Sequence, residues 1–175
     1  MNVNISMAEG KTSERLTDQT CKLEAEWYST NWAQVEKEVN RLQVRIAKAT
    51  INKKWNDVKR LQYLLTHSYY AKLLAVRKVT TNKGKKTSGV DGKLWSTPAS
   101  KIKAVKRLTD KGYKAQPLKR TFIDKKGKKE KRPLGIPTMY DRAMQALYAL
   151  ALDPVSEVTA DSRSFGFRKG RGCHD

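Results

Sequence analysis

The sequence predicts a mainly α chain with a small antiparallel β component, an α+β fold. Two long runs between residues 32 and 76 carry apolar side chains at spacings of three and four, the period of an amphipathic helix. A short stretch, Leu118, Arg120 and Phe122, alternates with period two before a lysine-rich turn at Gly127. A third apolar-periodic segment, 142–152, follows. At 175 residues the chain is long enough to bury a core.

Residues 1–20 are polar, with Gly10 and several Ser and Thr, and the reading is a flexible tail over 1–26. Trp32, Val35, Val39, Leu42, Ile46 and Ala49 then fall on one helix face. Asn31 or Thr30 can cap its start, and Glu36 and Glu38 suit its early turns. After Asn52 and two lysines a second run begins: Val58, Leu61, Leu65, Tyr69, Leu73 and Val76. The short link predicts an antiparallel helical hairpin, and residues 27–80 a helical domain. Its outer face carries Lys37, Arg41, Arg45, Lys48, Lys53, Lys54, Lys59 and Arg60.

The segment NKGKKTSGVDG breaks the periodicity with Gly84, Gly89 and Gly92, and Val90-Asp91-Gly92 is a turn signal. Lys83, Lys85 and Lys86 beside flexible backbone suit contact with phosphates. Ser96-Thr97-Pro98 opens another helix, with Ile102, Val105 and Leu108 inward and Gly112 at its end. The stretch LKRTFIDKKGKKEKRPLGIP reads as a β-hairpin with a basic tip, its second arm ended by Pro133 and Pro137. The next helix, 142–152, turns Ala143, Ala146, Leu147, Leu150 and Ala151 inward, with Asp141 as N-cap acid and Asp153-Pro154 as its stop. Residues 163–171 form a glycine- and arginine-rich loop with Phe165 and Phe167, one of which is expected in the core.

Charge narrows the function. Thirty-seven Lys and Arg against seventeen Asp and Glu give a net +20. Residues 82–132 hold eighteen Lys and Arg and four Asp and Glu, which is +14 of that total. A polyanion partner, RNA or DNA, follows. No apolar run reaches the 18 residues that would suggest a membrane span, so no membrane partner is expected. MNVNISMAEGKTSER lacks the apolar core of a secretory signal. Cys21 and Cys173, with His67 and His174, have no ligand-like spacing, and two unpaired thiols fit a reducing compartment. No metal site and no hydrolase constellation is expected.

Three stretches occur in one order: WYSTNWAQVEKEVNRLQVRIAKAT with the run after it, then NKGKKTSGVDG, then RPLGIPTMYDRAMQALYALALDP leading to SFGFRKGRGCHD. In that order they resemble the N-terminal domain and fingers of the reverse transcriptases encoded by group II introns, the intron maturases. The resemblance makes 81–175 a fingers region with the start of an incomplete palm. In that family a Lys of the first hairpin arm and an Arg of the second hold the incoming nucleoside triphosphate. The matching positions here are Lys125 and Arg132, with Lys126 the other candidate for the first. Lys126 and Lys128 at the tip, Lys83, Lys85 and Lys86 in the link, and Arg168, Lys169 and Arg171 in the last loop are the implied nucleic-acid contacts. Lys169 stands where the family usually has Pro. Arg142 is read as contacting nucleic acid or pairing with a carboxylate.

The resemblance further implies an RNA-directed DNA polymerase that uses Mg²⁺ when complete, that binds its intron RNA and a template–primer, and that supports splicing and mobility. The family's metal-binding carboxylates lie beyond Asp175, so no catalytic residue is assigned and the chain alone is not expected to polymerise. Two other readings use the same residues: a stand-alone basic RNA chaperone, or a subunit completed by a separate palm and thumb polypeptide. A cytoplasmic location, or an organellar interior in a eukaryote, is the expectation.

Overall fold

A computed structural model describes residues 17–125, 127, 130–161, 163–166, 168 and 170–172. A helix over 17–28 (α1) leads to α2 (Trp32–Ile51), α3 (Trp55–His67), α4 (Tyr69–Thr81) and α5 (Pro98–Arg107). The strands β1 (Lys119–Asp124) and β2 (Lys131–Ile136) form an antiparallel pair, and α6 (Met139–Thr159) follows. The mainly α fold with one β-hairpin is therefore as the sequence predicts.

The sequence places 17–26 in a flexible tail; these residues are helical instead. Leu23 and Trp27 lend α1 an apolar side that packs on the cluster around Val35, Leu73, Val76 and Ile102. Trp27 meets Trp32 edge-on at 5.0 Å, and Lys101 lies 5.1 Å from the Trp27 ring. Glu26 accepts from Tyr69 Oη at 2.5 Å and from Lys106 Nζ at 2.7 Å, which fixes the helix end to α4 and α5. The polar composition hid this because three anchoring residues, Leu23, Glu26 and Trp27, hold the helix mainly through partners remote in sequence.

α2 begins where its cap residue predicts: Asn31 accepts from the Gln34 amide at 3.1 Å. Val35, Val39, Ile46 and Ala49 are buried as the spacing requires, and Leu42 packs at the core edge. The Asn52–Lys54 link turns through Lys53 at φ 55° and returns α3 against α2. The second periodic run is not one helix. Ser68, at ψ 132°, ends α3 and starts α4. The spacing Leu65, Tyr69, Leu73 keeps its phase across the break, so periodicity could not report it. Tyr69 is exposed rather than inward, with its hydroxyl on Glu26.

The largest apolar cluster draws on α2, α3, α4 and α6, so it runs across the 80/81 boundary expected from sequence. α6 is its central element and is longer than 142–152. Thr138 is the N-cap, and Asp141 sits at the third helical position instead. The helix also passes through Pro154 instead of stopping there. α5 starts as predicted, with Thr97 accepting from Ser100, but ends at Arg107, well before Gly112. Gly112, at φ 69°, serves the turn that follows. Pro133 lies inside β2, opposite Phe122, rather than ending it. In a two-stranded ribbon every strand is an edge, so the missing N–H is tolerated.

Candidate nucleic-acid interface

Two basic elements flank the start of α6. The first is the link 82–92. Lys83, Lys85 and Lys86 are exposed along it, as a phosphate-binding segment requires. The link is not loose. Arg142 donates from one terminal nitrogen to the Gly84 carbonyl at 2.9 Å and from the other to the Thr87 carbonyl. Burial pulls its pKa down from the ordinary arginine value, and the nearby Asp91 charge opposes this. Arg142 thus pairs with backbone carbonyls rather than with a carboxylate. Gly89 lies so close to α6 that a Cβ there would stand 2.6 Å from Thr138 Cα. No larger residue fits without moving backbone.

The second element is the hairpin. The register pairs Thr121 with Leu134, Ile123 with Arg132 and Asp124 with Lys131. Directly opposed residues share a face. Extending the alternation by one residue puts Lys125 on the face of Arg132. Lys125 reaches Glu130 at 3.2 Å, and Lys131 reaches Asp124 at 3.7 Å on the other face. Gly135 leaves room for Leu118, whose side chain would lie 2.7 Å from a Cβ at that position. The strands pack on each other and on no helix to a comparable extent, and β1 is exposed throughout. The hairpin therefore projects from the helical body. Lys126 and Lys128 lie outside the described residues.

The segment before the hairpin is anchored by one buried polar group. Asp141 is 3% exposed. It accepts from Thr138 Oγ1 at 2.7 Å, Tyr113 Oη at 2.6 Å and the Gln116 amide at 3.4 Å. Burial pushes its pKa up, but these hydrogen bonds outweigh that and hold it below the usual carboxylate range. Burial and the charged partner push the Tyr113 phenol up to about 12. Asp141 and Arg142, adjacent on α6, so tie down the segment before the hairpin and the basic link respectively.

The last loop is placed elsewhere. Arg168 makes a two-pronged contact with Glu157, at 2.8 and 2.6 Å, and donates to the Asp161 and Ser164 carbonyls. Arg171 shares Glu157 at 2.8 Å. Hydrogen bonds from the two guanidiniums hold the Glu157 carboxyl down at about 2. To bind a phosphate, Arg168 would first have to leave Glu157. Glu157 is 18 residues beyond Met139 on α6, about 27 Å along the axis at 1.5 Å per residue. The register thus puts Lys125 and Arg132 on one face of the hairpin, and Glu157 gathers Arg168 and Arg171 near the far end of α6. Phe165 is half-buried, while Phe167, Lys169, Cys173 and His174 lie outside the described residues.

A cleft of about 650 Å³ that no sequence motif announces lies between the link, α5 and the start of α6. Lys93, Lys103, Arg107, Lys111 and Lys114 line it. They are scattered through a generally basic stretch, and only the fold makes them converge. Among the described residues no three His, Cys, Asp or Glu side chains are grouped to hold a metal ion. No described helix is long and apolar enough to cross a membrane.

A family profile for the N-terminal domain of reverse transcriptase matches residues 27–108. The chain is similar to the group II intron-encoded protein LtrA of Lactococcus lactis subsp. cremoris, 36% identical over 115 residues, 65% of this chain and 19% of that protein. It is similar to protein YkfC of Escherichia coli (strain K12), 34% identical over 105 residues, 57% of this chain and 27% of that one. A 91 kDa protein in the cob intron of Schizosaccharomyces pombe is 30% identical over 104 residues, 58% of this chain and 13% of that one. The chain thus spans about a fifth of the length of LtrA. The matched span contains the folded-back helices α2 and α3, the glycine-punctuated basic link and the Thr97-capped α5. Residues 27–108 thus match the N-terminal domain of reverse transcriptase, and the chain is similar over that region to a group II intron-encoded protein.

Proposed function

We propose that this chain binds the RNA of a group II intron through its basic link and projecting hairpin, as the N-terminal and fingers part of an RNA-directed DNA polymerase. The observation that carries the reading is that two cationic elements, Lys83–Lys86 and the hairpin, both adjoin the α6 N-terminus, with the link and the segment before the hairpin each tied to that helix. Phosphate contacts need cations held in place but open to solvent, and the Arg142 and Asp141 contacts provide that. Within the complete protein, Lys125 and Arg132 would meet the triphosphate of an incoming nucleotide, where positive charge on a positioned element stabilises phosphoryl transfer. The described residues offer no clustered donor set for Mg²⁺, so no step through that ion is assigned to this chain. Support for splicing and mobility is part of the same proposal.

The test is RNA binding by the purified chain across a salt series. Log affinity should fall linearly with log salt, by about 0.7 per phosphate contact on single strands. Affinity that stays level from low to moderate salt would reject the reading. Alanine at both Lys125 and Arg132, in a full-length enzyme, should raise the nucleotide concentration needed more than it weakens RNA binding. Equal loss of both would place the clamp elsewhere.

A further inference from the structure

The cleft beside α5 has a chemistry that the link and hairpin do not. Its five cations stand against two carboxylates, and those two are already committed. Asp141 is buried under three donors, and Asp91 accepts from the Lys93 amide at 3.3 Å. Some cations elsewhere on the surface have acidic partners, among them Arg77 with Glu36, Lys106 with Glu26 and Lys131 with Asp124. None of the five in the cleft forms an ion pair with a described residue. Unpaired like charges converging on a concavity repel one another and favour an anionic occupant.

The floor is aromatic. Trp95, Tyr113 and Tyr140 line it, each partly buried. The two tyrosine rings lie 5.9 Å apart. Their hydroxyls are turned into the protein: Tyr113 donates to Asp141, and Tyr140 bonds the Arg107 and Thr109 carbonyls at 3.0 Å. The rings are therefore fixed, with their polar ends satisfied, so they can act as a stacking surface at little entropic cost. About 650 Å³ falls in the size range of sites for nucleotide-sized ligands. Lys103 and Arg107 stand one turn apart on α5. They present two separated charges rather than one focus, which suits successive phosphates along a strand.

We propose that this cleft is a second nucleic-acid subsite, which takes one or two nucleotides of a single-stranded segment with phosphates on the lysine rim and a base over the aromatic floor. The proposal rests on the reading that the chain binds RNA, but it names residues outside the link and the hairpin.

The test uses the full chain and a short oligoribonucleotide carrying 4-thiouridine. Photocrosslinked peptides are mapped by mass spectrometry, and binding is measured for Lys103→Glu/Lys111→Glu beside a control of equal charge change, Lys22→Glu/Lys78→Glu. Crosslinks should map within residues 93–114. The cleft variant should lose more affinity than the control, and its salt slope should fall by about 1.4, two contacts at about 0.7 each. Crosslinks confined to other segments of the wild-type chain would overturn the proposal, even if the variant failed to fold. Equal loss in the two variants would overturn it too. Displacement of the cleft crosslinks by millimolar nucleoside monophosphate would replace a strand with a free nucleotide as the occupant. If the wild-type chain does not bind the oligonucleotide at all, the RNA-binding reading falls. If it binds and the cleft variant matches the control, only the subsite falls.

Discussion

Asp141 and Thr138 show how a single residue position organises the interface. Thr138 caps α6 while its hydroxyl also donates to Asp141, and Asp141 passes the restraint on to Tyr113 and Gln116. Asp141→Asn removes acceptor capacity from a buried site, and should cost about 1–3 kcal/mol at pH 7, measured by chemical denaturation. The pH dependence has a definite sign. A carboxyl held below its unfolded value of about 3.9 contributes stability above that pH, and loses it as pH falls through the folded pKa. The gap between wild type and Asp141→Asn should therefore narrow below pH 4. A gap that stays constant to pH 3 would mean that the charge contributes nothing. Gly89→Ala meets the rigid Thr138 backbone at 2.6 Å, and should cost about 1–3 kcal/mol. The caps at Asn31 and Thr97 were readable from residue type. The role of Asp141 was not, because an acid near a helix start looks the same at the N-cap and two residues beyond Thr138's first helical neighbour.

Helix α6 crosses Pro154 by borrowing hydrogen bonds. Proline at 154 cannot donate to the Leu150 carbonyl, and its ring pushes that carbonyl away. Gln43 of α2 donates to Leu150 O at 2.8 Å, and Gln62 of α3 to Ala151 O at 3.1 Å. The Gln43 amide replaces the bond the helix lost at Leu150, and both amides join the helix to its neighbours. Gln43→Leu should destabilise the chain by about 1–3 kcal/mol, since it orphans a carbonyl. In a Pro154→Ala background the helix satisfies Leu150 itself, so the same change should cost clearly less. A double-mutant cycle with no coupling would refute this account. The hairpin behaves oppositely, since nothing in the helical body leans on it. Replacing 119–136 by a short glycine linker across the Lys119–Ile136 pair should leave the melting temperature nearly unchanged while weakening RNA binding. A large drop in melting temperature would show that the hairpin holds the fold together. A proline reads as a stop in isolation, and only the opposing glutamines, more than 80 residues away, make it a passage.

Across the whole chain a net +20 has two consequences of opposite sign in salt. Self-repulsion opposes the compact state, so added salt should raise the melting temperature of the free protein. Salt also competes for phosphates, so the same addition should weaken RNA binding. Thermal melts and binding titrations in one salt series check both, and slopes of the same direction would contradict the charge argument. The ion pairs do not offset the excess. Most are exposed contacts such as Lys22–Asp18 and Arg60–Asp57, which contribute little.

Periodicity, caps and charge density in the chain were enough to establish a helical body with a projecting basic hairpin, and motif order was enough to indicate its relatives. These features are local: each depends on residues within a turn or two of one another. The break at Ser68, the helix over 17–28, the continuation through Pro154 and the convergence of five cations beside α5 needed the folded chain. Each depends on groups distant in sequence that meet only when the helices pack. Hydrogen-bond partners and electrostatic fields act through space, and a linear reading records neither.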